Sequence, residues 1–220
     1  MENNEIKEPK ERILEAAARL FAVKGYSAIG VREIAAAADV NISMISYYFG
    51  GKIGVLKALI EKYYTMMLEI QMETLLGGCT KEESVRSFIK KFVDMIRDNE
   101  ALCKVVINEF TIDVPEIESF KIEMLKKHID FLKSSFKEPA KHPSNPKYHT
   151  IMGPAMMGLA YSNFMTGHLS NKIANVDYDD EFYDFYAETI ADLFLYGVTG
   201  IIKKEMKKMN LEYKSLEELI

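Results

Sequence analysis

Few residues of this chain stand at spacings that could do chemistry. The four histidines, His128, His142, His149 and His168, share no metal-ligand spacing. None has a glutamate three residues before it, so the helical di-iron pattern is missing. Cys79 and Cys103 stand alone, with no C-x-x-C pair, which reads as free thiols in a reducing compartment. Gly50-Gly51-Lys52 resembles a phosphate loop only superficially. The position of the first glycine of G-x-x-x-x-G-K is Ser46, and Ile53 rather than Ser or Thr follows the lysine. We therefore expect no catalysis, no metal and no cofactor. A second kind of chemistry is left. Asn41, Ser43, Ser46, Tyr47, Tyr48 and Lys52 put hydroxyls, an amide and an ammonium into a dozen residues. Lys52 falls in the first turn of a helix, where a cation opposes the dipole, and its place makes more sense beside an anion.

The helices that must position these groups can be read from periodicity. Ile13, Leu14, Ala17, Leu20 and Phe21 form one stripe of a first helix, stopped by Lys24-Gly25. A short helix over Val31–Ala38 turns Ile34, Ala35 and Ala38 to one face. Another runs from about Ser43, a plausible N-cap, to Phe49. A long helix starts near Lys52, carries Val55, Leu56, Leu59, Ile60 and Tyr63, and stops at Gly77-Gly78. Thr80-x-x-Glu83 is a capping box before Val85, Phe88, Ile89, Phe92 and Ile96, and Asp113-Val114-Pro115-Glu116 opens another helix. The segment Lys137–Lys147, with three prolines, reads as a loop. Two long helices at about 148–171 and 179–203 follow, then a charged one near 205–219. No stretch alternates as a strand, and the expected fold is all-α.

Composition neither reveals nor forbids a nucleic-acid partner. Of 220 residues 48% are hydrophobic and 28% charged, and the net charge is −5. Residues 1–57 hold 8 Lys and Arg against 7 Asp and Glu, which leaves 20 against 26 for the remainder. Phosphate affinity must then come from a few placed groups rather than from a bulk field. The polar, acidic first residues carry no leader-like apolar run, and the Ile151–Leu169 stretch is too polar to span a bilayer. A cytoplasmic chain with no membrane partner is expected.

Three helices in the first fifty residues, the third following the break Asp39-Val40-Asn41-Ile42, fit a helix-turn-helix. Asp39 can take the left-handed conformation such a turn needs, and Val40 can be its buried wedge. The run Ile34-Ala35-x-x-Ala38-x-Val40, then Tyr47-Tyr48-Phe49-x-x-Lys52-x-x-x-Leu56, with Leu20-Phe21-x-x-x-Gly25-Tyr26 upstream, resembles the signature of the TetR (tetracycline repressor) family. The resemblance covers about residues 10–60. It implies a helix-turn-helix DNA-binding domain over residues 1–53 and a helical effector-binding and dimerisation domain over 54–220. It also implies roles. Arg32 would sit near the DNA backbone, while Asn41, Ser43, Met44 and Ser46 would face base edges. Tyr47, Tyr48 and Lys52 would meet phosphates, with Phe49 in the core. Two positions depart from the family pattern. Gly30 replaces the usual Thr or Ser cap and loses a hydroxyl, and Asp39 replaces the turn glycine and brings a carboxylate near the DNA side.

The same resemblance implies a homodimer formed by the last two long helices, whose two recognition helices reach half-sites roughly 34–36 Å apart on a pseudo-palindromic operator. Gly158, Phe182, Ile190, Phe194, Gly197 and Ile201 are the interface candidates, although they could equally complete a monomer core. A pocket for a small, largely apolar effector is expected among Met66, Phe88, Phe92, Met95, Met124, Phe131, Met157, Tyr161, Phe164 and Met165, with Asn108, His128 and His168 as polar groups. The competing reading is a helical small-molecule- or protein-binding module that keeps the helix-turn-helix as scaffold.

Overall fold

The computed structural model describes residues 8–75, 81–111, 114–135 and 146–208. Nine helices are described: α1 (Pro9–Lys24), α2 (Val31–Ala37), α3 (Ile42–Phe49), α4 (Lys52–Leu75), α5 (Lys81–Asp98), α6 (Glu100–Thr111), α7 (Pro115–Ser135), α8 (Pro146–Ala174) and α9 (Asp180–Lys208). There is no strand among the described residues, and the fold is all-α as the periodicity predicts. Cys79, the Gly77-Gly78 stop, the Thr80 cap, most of the proline-rich segment with His142, and residues 209–220 lie outside the described residues. So do the side chains of His149, His168 and Ile201.

The chain divides into two compact units, Met1–Glu69 with Asp98–Lys137, and Ile70–Arg97 with Glu138–Ile220. In the first, α1 packs on α2, α3 and α6, and α2 packs on α3. Pro9 opens α1 where a missing N–H costs nothing. Gly25, at φ 81°, closes it by donating its N–H to the Phe21 carbonyl. Ile13, Ala16, Ala17, Ala18 and Phe21 are buried, and the three alanines are small enough to let neighbouring helices approach closely. Val55, Leu56, Leu59, Ile60 and Tyr63 of α4 complete this core, matching the expected stripe residue for residue. Burial of such side chains stabilises by roughly 1.5–3 kcal/mol each, so this stripe fixes where α4 starts relative to α1–α3.

In the second unit α5 buries Phe88, Ile89, Phe92, Val93 and Ile96. Its other face carries a ladder of cations that meets acids spaced four apart on α9. Arg86 pairs with Glu188 at 2.9 Å and Asp192 at 2.6 Å, Lys90 with Asp184 at 2.7 Å, and Arg97 with Asp180 at 3.0 Å. The pairing order makes the two helices antiparallel. Burial alone would lower the Arg86 guanidinium, but hydrogen bonds to Asp192, Tyr196 and Glu82 outweigh it and raise its pKa. Helices α8 and α9 are joined by tyrosines. The Tyr186 hydroxyl lies 2.8 Å from the Leu159 carbonyl and Tyr178 donates to the Gly167 carbonyl at 2.9 Å. Helix α9 departs from the uninterrupted stripe expected over 179–203, because Gly197 sits at φ 67°, ψ 179° and kinks it.

Candidate nucleic-acid interface

The turn between α2 and α3 is built as its residue types require. Asp39 stands at φ 51°, a left-handed conformation that aspartate tolerates at modest cost. Its exposed carboxylate lies 3.6 Å from Arg12 of α1. Helix α2 is capped without a side chain at Gly30. Glu33 compensates by accepting from the Gly30 N–H at 3.2 Å and from Lys24 at 3.2 Å, and both hold its carboxyl below the ordinary value, the Gly30 bond most. The wedge differs from expectation. Val40 is half-buried, whereas Ile34, Ala38 and Ile45 are fully buried and set the angle between the helices. Ile45 is the one buried residue of α3, so a single apolar anchor holds this helix from behind.

The cap of α3 also differs. Asn41, not Ser43, is the N-cap, and its Oδ1 accepts from the Ser43 backbone N–H at 2.9 Å and from the Ser43 hydroxyl at 2.8 Å. The helix begins two residues earlier than a Ser43 cap would place it. Both side chains thereby stand in one orientation at the helix tip. Arg32, Asn41, Ser43 and Ser46 are exposed and Met44 is half-buried. Tyr47 is 83% exposed, and its ring meets that of Tyr48 edge-on at 5.0 Å. A surface tyrosine left this open has its hydroxyl available to a partner outside the chain. Phe49, expected in the core, is half-buried.

Between α3 and α4 the backbone turns through Gly50 (φ 71°) and Gly51 (φ 125°). A Cβ on Gly54 would lie 1.7 Å from the Phe49 carbonyl oxygen, so only glycine fits there. This contact sets Lys52 beside the end of α3. The Lys52 ammonium lies 4.1 Å from the centre of the Tyr26 ring. One short tract of chain thus presents an amide, hydroxyls and cations around a helix with a free polar face.

Residues 13–59 match the family described as "Bacterial regulatory proteins, tetR family". These residues form a TetR-family N-terminal domain. Over 107 residues, 47% of this chain, it is 35% identical to the "Probable HTH-type transcriptional regulator YttP" of Bacillus subtilis and spans 51% of that protein's length. Among solved structures, FadR from Bacillus subtilis in complex with stearoyl-CoA is similar with a TM-score of 0.68 at 20% identity, covering 86% of this chain and 98% of that one. AibR in complex with isovaleryl coenzyme A and operator DNA gives a TM-score of 0.63 at 20% identity, covering 86% and 99%. At such identities these two likenesses establish the fold alone.

The expected effector residues fall into both units. Met66, Asn108, Met124, His128 and Phe131 belong to the first, where His128 meets the Tyr64 ring edge-on at 6.1 Å. Burial holds His128 below its ordinary value and pushes Tyr64 up to about 12. Phe88, Phe92, Met95, Met157, Tyr161, Phe164 and Met165 belong to the second. There Phe88 stacks on Phe92 at 5.8 Å, Phe92 meets Tyr161 edge-on at 5.5 Å, and Phe164 stacks on Tyr183 at 5.6 Å, while Met165 faces outward. A cleft of about 320 Å³ in the first unit is lined by α1, α4 and the start of α6, and none of the expected effector residues is in its walls.

Of the expected dimer residues, Ile190 is buried in its own unit, Phe182 and Phe194 are half-buried, and Gly158 is exposed. Beside them Phe185 is 71% exposed, and Ile173 and Tyr196 are also open. The residues that sequence reading missed are Glu33, Ile45 and Gly54. The Glu33 signal was legible as a capping acid three residues after Gly30. That of Gly54 was not, because it depends on where the Phe49 carbonyl points.

Proposed function

We propose that this chain is a sequence-specific DNA-binding transcriptional regulator, a repressor released from a pseudo-palindromic operator by a small, largely apolar effector. Residues 1–53 read the DNA, residues 54–220 bind the effector and form the homodimer, and the protein works in the cytoplasm without metal or cofactor and without catalysis. The observation that carries this reading is α3, held by Ile45 alone and turning Asn41, Ser43, Ser46 and Tyr47 to solvent. A helix anchored on one side and polar on the other is the shape that enters a major groove. Arg32, Tyr47, Tyr48 and Lys52 contact phosphates, and Asn41, Ser43, Met44 and Ser46 contact bases.

Two copies are required to span two half-sites, and exposed Met165, Ile173, Phe185 and Tyr196 on α8 and α9 supply an apolar face for the second copy. Helix α4 starts at Lys52 and runs on into the second unit, which makes it the lever between effector and recognition helix. An effector that prefers the wide-spaced state draws the population off DNA. The bound molecules of the FadR and AibR structures make stearoyl-CoA and isovaleryl-CoA the first compounds to try.

The test is fluorescence-anisotropy binding to the DNA flanking the protein's own gene, with a salt titration, for the native chain and for Tyr47→Phe with Lys52→Ala. Tight, salt-sensitive binding that the variant weakens at least tenfold is expected. No binding to that DNA or to random duplex at low salt would overturn the reading. Effector that binds without changing operator affinity would overturn the lever.

A further inference from the structure

The Lys52 ammonium lies 4.1 Å from the centre of the Tyr26 ring, well inside the distance at which a cation is held by an aromatic face. Tyr26 is itself fixed. It follows the Gly25 turn that ends α1, its ring meets buried Phe21 edge-on at 5.3 Å, and its carbonyl accepts from the Ile29 N–H at 3.3 Å. Lys52 is the first residue of α4, where the free N–H groups and the dipole repel a cation. A flexible four-carbon side chain in that place would ordinarily swing away into water. The ring face offsets the repulsion and keeps the charge beside the helix end.

We infer that Tyr26 is a positioning residue for DNA binding: its ring preorganises the Lys52 ammonium next to the N-terminal N–H groups of α4, so that one phosphate meets both at once. This rests on the DNA-binding reading above. A phosphate that finds the cation already placed loses less side-chain freedom on binding. Tyr26 therefore acts through Lys52 and touches no DNA itself. The ring face, not the hydroxyl, is what matters.

The experiment is a mutant cycle read by anisotropy on random duplex DNA and on the DNA flanking the gene, at several salt concentrations. Tyr26→Leu is expected to weaken binding about three- to tenfold and to flatten the salt dependence, as Lys52→Ala does. Tyr26→Phe keeps the native affinity and slope. In the Lys52→Ala background Tyr26→Leu has no further effect. A Tyr26→Leu loss that persists in that background would overturn the inference in favour of a folding role, and a Tyr26→Phe loss would overturn it in favour of a direct hydroxyl contact. If Tyr26→Leu does not fold, the Lys52 side-chain protons decide by NMR of the free native protein. Upfield ring-current shifts support the stacking, and random-coil shifts overturn it. If the native chain binds no DNA, the regulator reading fails and this role with it, while the NMR result still reports whether the stacking exists.

Discussion

At the residue scale, two side-chain positions decide more than their size suggests. Gly54 has the Phe49 carbonyl oxygen where a Cβ would be, at 1.7 Å. Gly54→Ala must push α3 and α4 apart, so we predict a loss of at least about 2 kcal/mol in urea unfolding and a parallel loss of DNA affinity. Unchanged stability would show that the turn adapts freely. His128 is the second. Burial holds it below its ordinary value of 6.5, so the unfolded chain takes up the proton first. The stability it contributes is complete above pH 6.5 and falls as pH drops below that value. His128→Gln should flatten the stability profile on the acid side of 6.5, and an identical acid-side slope would refute the assignment. Asp39 accepts left-handed strain for the sake of the turn, and its exposed pair with Arg12 repays little of it.

At the scale of elements, the ladder between α5 and α9 is uneven, and exposure says where its strength lies. Asp192 is buried, and Arg86 is its shielded partner. The Asp180 side chain is 96% exposed, so its pair with Arg97 is screened by water and salt. We expect Arg86→Leu to cost about 2–3 kcal/mol, because it strands the Asp192 carboxylate, and Arg97→Leu to cost under about 1 kcal/mol. Adding Asp192→Leu to Arg86→Leu should recover much of the loss, since two apolar groups leave no buried charge unpaired. Equal costs for the two single variants, measured by denaturant melts, would mean that burial does not grade this ladder.

At the scale of the whole molecule, the proposed regulator needs two copies. An apolar residue as open as Phe185 on a helix of this length is costly unless something covers it. Phe185→Glu is predicted to shift sedimentation-equilibrium profiles from dimer towards monomer and to weaken operator binding more than random-duplex binding. A native chain that is monomeric at micromolar concentration would remove the dimer from the account. A variant that remains dimeric would move the interface to another face.

The all-α class, the stripe of α4 and the helix-turn-helix were legible in the residues alone, because they rest on local periodicity, small residues at close contacts and turn chemistry. Val55, Leu56, Leu59, Ile60 and Tyr63 are buried as their spacing requires. The types of group offered by α3 were equally legible. Other features were decided only in three dimensions. Asn41 rather than Ser43 caps α3 because cap choice follows backbone geometry at the turn, and both residue types suit the role. Ile45 rather than Val40 became the wedge because both are apolar and only packing chooses between them. The α5–α9 ladder joins residues about a hundred positions apart, and Tyr26 meets Lys52 only when α1 and α4 pack in one core. Sequence determines what each helix can offer locally, whereas contacts between distant helices exist only once the chain has folded.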